Sequence, residues 1–264
     1  MALTYDTLLV AQPAPHVALV TMNRPEASNA VNTRMGQEML HYFEDLSLDP
    51  KDVRCVVLTG AGDKAFCAGG DLKERKGMSD EAWQRQHVVF ERKVRSLMAC
   101  PVPIVAAVNG AAYGGGCETA LQCDFIYAST AARFALTEVT LGIMPGAGGT
   151  QNMPRAVGTR RALEVILTGA PFTAQQGFEW GMINRVLPPG ELMPAVIETA
   201  ARIAANAPIA TRQAKQAVHR GMGLSIWDGL AMEIEAYNRM VPTADRREGV
   251  LAYNEKRKPV FKGH

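Results

Sequence analysis

Short apolar, β-branched runs alternate with runs of helical period through the first two thirds of this chain, and helical signals alone fill the last third. Strands separated by helices need crossover connections and a largely parallel sheet, so this order predicts an α/β core followed by a helical appendage. His16 to Met22 reads as a strand ended by the turn signal Asn23-Arg24-Pro25. Val53 to Thr59 reads as a second strand, Ile104 to Val108 as a third and Asp124 to Ala128 as a fourth. Between the first two, Met35, Met39, Tyr42 and Leu46 recur at helical spacing behind a Thr33 cap. After Ser79, the residues Trp83, His87, Phe90, Val94 and Leu97 step by four and three, which predicts a long helix with one buried face ended by Pro101 and Pro103. From about Glu191 the pattern is helical, broken at Pro208, Gly221-Met222-Gly223 and Pro242.

Charge excludes some partners. The chain has 28 basic and 26 acidic residues among 264, spread along its length, for a net charge of +2. That balance gives no electrostatic case for a nucleic-acid or membrane surface. Five cysteines, at 55, 67, 100, 117 and 123, lie in apolar or glycine-rich segments, which reads as buried reduced thiols in a cytoplasmic protein. No Cys-x-x-Cys pair or histidine cluster suggests a metal. The start Met1-Ala2-Leu3-Thr4-Tyr5-Asp6 lacks the features of a secretory leader, and no apolar run is long enough to span a bilayer.

Two glycine-rich loops follow apolar runs: Cys67-Ala68-Gly69-Gly70-Asp71, and Gly114-Gly115-Gly116-Cys117-Glu118. Each could present a backbone N–H, from Gly70 and from Gly115, to one ligand oxygen. A pair of such donors suits a developing oxyanion, and removing one typically costs about 2.7–4 kcal/mol of barrier. From spacing alone, tight turns or close helix packing are the readier account of the same glycines. A dinucleotide reading is poor, because neither this loop nor Gly146-Ala147-Gly148-Gly149-Thr150-Gln151 completes the fingerprint. Glu118 lies about one helical turn past Gly115, which returns its carboxylate to the face that Gly115 addresses. Glu138 stands in the largely apolar run Phe134 to Val139. Burial would raise the pKa of both acids toward values useful for proton transfer near neutrality. No serine lies in a G-x-S-x-G elbow, and Cys117 reads as a structural thiol.

Taken in order, Phe66-Cys67-Ala68-Gly69-Gly70-Asp71-Leu72-Lys73, Asn109-Gly110, Gly114 to Glu118, Glu138 to Gly142, Pro145 to Gln151 and Asp245-Arg246-Arg247-Glu248-Gly249 resemble the crotonase superfamily. Within it the chain is most similar to enoyl-CoA hydratases. The resemblance implies a spiral α/β core of repeated ββα units over residues 1–195 and a C-terminal helical trimerisation region over 196–264. It implies an acyl-CoA thioester as substrate, in a homotrimer or a homohexamer built as a dimer of trimers. No cofactor is implied, coenzyme A being part of the substrate.

By the same resemblance Gly70 and Gly115 hold the thioester oxygen, while Glu118 and Glu138 add water across the 2,3 double bond of a 2-trans-enoyl-CoA. Ala68, Asp71, Leu72 and Lys73 fall in the stretch that contacts CoA, the Ala68 carbonyl at the adenine and Lys73 near the phosphates. Tyr253 and Lys256 match tail positions that reach CoA from a neighbouring subunit. Gly70 stands where alanine is common, and Thr137 where proline is frequent. The runs Asp71 to Arg75 and Pro242 to Arg246 resemble the methylglutaconyl-CoA hydratase branch. A hydratase for that branched substrate and a Δ3,Δ2-enoyl-CoA isomerase are therefore alternatives. An idle acyl-CoA- or RNA-binding protein is a third, opposed by the paired acids and the near-neutral charge. The segment 74–98 is expected to wall the acyl pocket, with core packing the expected place of Met78, Trp83 and Trp227.

Overall fold

The structure is a computed structural model that describes residues 5–264; residues 1–4, part of the segment read as lacking a leader, lie outside it. The chain opens with an antiparallel pair, β1 (Leu8–Ala14) and β2 (Val17–Met22), and α1 (Thr33–Leu48). Units of two strands and a helical segment follow. The first is β3 (Cys55–Gly60) and β4 (Ala65–Cys67) with α2 (Leu72–Arg75) and α3 (Asp80–Ala99). The second is β5 (Ile104–Val108) and β6 (Ala111–Tyr113) with α4 (Gly115–Gln122). In the third, β7 (Phe125–Ser129) and β8 (Arg133–Ala135) precede a 3-10 turn, Glu138–Leu141, and α5 (Gly149–Val157). Next come α6 (Thr159–Thr168), β9 (Phe172–Thr173), α7 (Ala174–Glu179) and β10 (Arg185–Leu187). The helical end comprises α8 (Pro189–Ala204), α9 (Pro208–Gly221), α10 (Ile226–Asn238) and α11 (Ala244–Asn254).

The first strand of each unit enters a sheet of order β1-β2-β3-β5-β7-β10, parallel from β2 onward. The second enters another sheet, β4-β6-β8-β9. Stepping repeatedly from one sheet to the other winds the chain into the expected spiral of ββα units.

Side-chain alternation decides what covers the large sheet. Val56, Leu58, Ile104, Ala106 and Val108 point to one face, where Met35, Met39 and Phe43 of α1 join Phe66 and Phe134 in the main core. Cys55, Val57, Val105 and Ala107 point to the other, where α8 lays down Leu192, Val196, Ala200 and Ala204. Those four recur every four residues, the stripe one helix face presents to a flat surface. Residue 195, where the sequence divides core from appendage, lies within this helix. The five cysteines are buried free thiols. Asp124 ties α9 to the sheet: its carboxylate bonds Lys215 Nζ at 2.9 Å, His219 Nε2 at 2.7 Å and the N–H of Ile104 at 2.6 Å. Among the described residues no helix is long and apolar enough to cross a membrane.

Local expectations shift in three places. The N-cap of α1 is Asn32, whose side chain accepts from the Met35 N–H at 2.9 Å, and Thr33 is the first helical residue. The glycine-rich loop read as Cys67 to Asp71 is bounded by two short elements not expected there, β4 ending at Cys67 and α2 starting at Leu72. The buried face of α3 is Gln86, Lys93 and Leu97; of the expected stripe only Leu97 is buried. Gln86 and Lys93 can be buried because they are hydrogen-bonded: Gln86 Nε2 donates to Thr33 Oγ1 at 2.8 Å and Glu74 Oε2 at 2.7 Å, and Lys93 Nζ to Thr119 Oγ1 at 3.2 Å.

Candidate active site

The strand order β4-β6-β8 assembles the site. β4 pairs parallel with β6 (Cys67↔Ala112), and β6 with β8 (Tyr113↔Ala135), so the segments leaving their C-terminal ends emerge side by side. Those segments carry Ala68-Gly69-Gly70, Gly114-Gly115 with Glu118, and Thr137-Glu138. Three stretches far apart in sequence become neighbours at about strand spacing, ~4.8 Å.

Glycine is required where the first two meet. Gly69 has φ +95°, and a Cβ there would lie 2.9 Å from the Tyr113 carbonyl oxygen. A Cβ on Gly115 would lie 3.7 Å from the Gly70 nitrogen, so the two backbones touch. Val31 N–H takes the Gly69 carbonyl at 2.7 Å, and the Val31 carbonyl takes the Asp71 N–H at 3.0 Å. Among the described residues the Gly70 N–H, lying between these bonds, has no hydrogen-bond acceptor. Gly115 is the first residue of α4, so its N–H has no intrahelical acceptor and sits at the positive end of that helix.

Gly70, Gly115, Glu118 and Glu138 line one cavity of about 580 Å³, together with Ala68, Leu72, Arg75, Trp83, His87, Phe90, Lys93 and the loop Leu141 to Ala147. Segment 74–98 does wall it. Trp83 is a lining residue rather than core, and Trp227 is 78% exposed on α10.

The two acids differ in surroundings. Glu118 is 2% exposed, and its Oε1 accepts N–H bonds from Ala147 and Gly149, both at 2.8 Å. Thus the Gly146-Ala147-Gly148-Gly149 loop clamps a carboxylate instead of cradling a phosphate. Burial still pushes the Glu118 pKa up, while the two amides, Lys93 and His87 oppose the rise by favouring its charge. Glu138 heads the 3-10 turn behind Thr137, and its Oε1 would lie 3.3 Å from a Cβ on Gly114. Among the described residues its Oε2 has no hydrogen-bond partner. Burial, reinforced by the nearby Glu118, pushes its pKa up to about 7, its own backbone N–H only partly countering them.

Other expected ligand contacts are not gathered here. The Asp71 carboxylate caps α2, accepting from the N–H groups of Lys73 (3.0 Å) and Glu74 (3.2 Å), and pairs with Arg24 at 2.9 Å. Its side chain fixes the loop and does not line the cavity. Lys73 is exposed outside the lining, Tyr253 is 84% exposed at the end of α11, and Lys256 lies just beyond it. Sequence reading placed segment 74–98 on the wall but did not single out Arg75, His87 or Lys93 within it. The signal for Lys93 was its place seven residues after Gln86 and four before Leu97, one helix face.

Residues 14–264 match the model of the enoyl-CoA hydratase/isomerase family. The chain belongs to that family. Among enoyl-CoA hydratase/isomerase relatives, it is 42% identical to the short-chain-enoyl-CoA hydratase of Clostridium acetobutylicum, over 92% of each chain. It is 39% identical to the mitochondrial enoyl-CoA hydratase of Pongo abelii, over 93% of this chain and 83% of that one. The crystal structure of an enoyl-CoA hydratase from Bacillus anthracis superposes with a TM-score of 0.96 at 41% identity, covering 98% of this chain and all of that one. The crotonase-like fold expected from the motifs is thereby established.

Proposed function

We propose that the protein hydrates 2-trans-enoyl-CoA thioesters to 3-hydroxyacyl-CoA. The observation that carries this reading is one cavity holding two unclaimed backbone donors, Gly70 and Gly115, and two buried acids in unlike surroundings. The donors would polarise the thioester carbonyl and make C3 electrophilic, and they would stabilise the enolate formed on attack. Glu118, with one oxygen fixed by two amides, is suited to stay ionised and take a proton from water. Glu138, neutral up to about pH 7 and with an unpartnered oxygen, is suited to deliver a proton to C2. A double-bond shift within one substrate needs only one of these acids, so the pair favours hydration over isomerisation.

The test is a product assay on crotonyl-CoA and a 3-enoyl-CoA. Hydration of the first without conversion of the second supports the reading; conversion of the 3-enoyl thioester with no hydration would reverse it. The pH profile is a second measure. As pH rises through about 7, Glu138 loses the proton it must donate, so kcat/KM should fall. It should also fall in acid as Glu118 is protonated, the two limbs belonging to the coupled pair. A profile flat across neutrality would contradict the assignment of Glu138.

We further propose that coenzyme A is held along Ala68 to Lys73, and that Tyr253 and Lys256 complete that site from a neighbouring copy. Ile226, Trp227, Leu230, Ile234 and Tyr237 of α10 are large apolar or aromatic residues left exposed, which supports assembly through the helical end. Sedimentation should give three or six times the chain mass of 28.5 kDa, and a monomer would exclude it.

A further inference from the structure

Lys93 is a lysine only 4% exposed, on the buried face of α3 and on the wall of the cavity that holds both glutamates. Its Nζ reaches across to α4 and donates to Thr119 Oγ1 at 3.2 Å. Thr119 Oγ1 donates in turn to the Gly115 carbonyl at 2.7 Å, so the lysine is anchored to the first turn of α4. An ammonium has three N–H donors, and among the described residues this hydroxyl is its one hydrogen-bond acceptor.

A buried ammonium without a counter-charge is costly, so the groups that face it decide whether it stays charged. Three titratable side chains do: Cys67 of β4, Cys123 at the end of α4, and Glu118, the residue before Thr119. Burial pushes both thiols up, so they stay neutral. Glu118 is the one anion among them.

The relation is reciprocal. Glu118 faces Lys93 and His87 on α3, Glu138 on the 3-10 turn and the neutral thiol of Cys117 beside it, with Arg75 on the same cavity wall. Lys93 and His87 favour its charge, but His87 is exposed, where water screens it, and Lys93 is shut away from water. Burial pushes the Lys93 pKa down and the Glu118 pKa up, and each charge offsets the cost of the other.

We infer that Lys93 is a positioning residue: anchored to α4 through Thr119, its ammonium keeps Glu118 in the carboxylate form that takes a proton from water. This rests on the reading of Glu118 as the base of the hydration.

Lys93→Met removes the charge and nearly keeps the side-chain length. Thr119 Oγ1 retains Gly115 as its acceptor, so no buried donor is orphaned. Tm should stay at the wild-type value or rise, as is common when a buried ion gives way to an apolar side chain. Without the counter-charge Glu118 holds its proton to higher pH. The acid limb of kcat/KM on crotonyl-CoA should therefore move up by about one pH unit, which is about tenfold in rate at a fixed pH on that limb. The limb above neutrality, set by Glu138, should move less. Lys93→Gln keeps a donor for Thr119 without the charge; it should shift the acid limb equally, and it serves as the test if the methionine variant fails to fold.

The ionisation of Glu118 is also read without turnover, by carbon-13 NMR titration of the glutamate carboxyl groups, with its signal assigned from Glu118→Gln. That titration should move up by the same amount in Lys93→Met, and it decides where the two measurements disagree. A Glu118 titration and an acid limb that both keep their wild-type positions would overturn the inference. Wild-type protein that does not hydrate crotonyl-CoA would remove the hydratase reading, and the NMR titration would still decide whether Lys93 controls the charge of Glu118.

Discussion

Glu118→Gln and Glu138→Gln are each expected to lower kcat on crotonyl-CoA by about 10²–10⁴-fold, the range for removing a positioned acid or base. Both substitutions should leave folding intact. A glutamine at 118 retains an oxygen able to accept the N–H groups of Ala147 and Gly149, so the loop it clamps stays in place. What is lost is basicity: an amide cannot take the proton from water. At 138 the side chain is already neutral below about pH 7, so the amide is a near match in charge and size. It cannot deliver a proton to carbon. Because the pair acts on one proton inventory, the double variant should be little worse than the poorer single one. Steady-state assays beside thermal unfolding check both statements. Turnover close to wild type in both variants would remove acid–base chemistry from these residues.

Gly116→Ala should be the most damaging small substitution in the site. A Cβ at this position would lie 1.9 Å from the Cys67 carbonyl oxygen and 2.7 Å from its carbon. Both atoms are backbone of β4, so no rotamer can relieve the clash, and α4 must move away from the strand. Overpacking of this kind costs about 1–3 kcal/mol and occasionally more, and a collision with main chain belongs at the upper end. The movement would also separate Gly115 on α4 from Gly70 beyond β4. Activity should therefore fall by more than the loss of folded protein explains, by up to the 2.7–4 kcal/mol attributed to one oxyanion donor. Chemical denaturation together with kcat per folded molecule separates the two contributions. An alanine variant with wild-type stability would show that the helix and strand are not in this contact.

The sequence made some of this legible and hid the rest for physical reasons. β5 was readable to the residue, because a five-residue apolar run is bounded by Pro103 and by Asn109-Gly110. The paired glutamates and glycine donors were readable from ordered motifs, and the structure places them in one cavity. The strands that bring them together were not. β4, β6 and β8 have three residues each, too few to show a period, and none was read as a strand. The face of α3 was misjudged because aromatic residues were assumed to seek the core. Here Trp83 and Phe90 border a cavity, while Gln86 and Lys93 are buried through hydrogen bonds to residues distant in sequence.

The narrow sheet β4-β6-β8 has a consequence for how such a site can change. The groups proposed to react there are hung at intervals set by interstrand hydrogen bonding, a distance that no side-chain substitution alters. The protein thus behaves like a rack with fixed pegs. New chemistry can be reached by exchanging what hangs on a peg, whereas altering the gap between pegs would require rebuilding the rack.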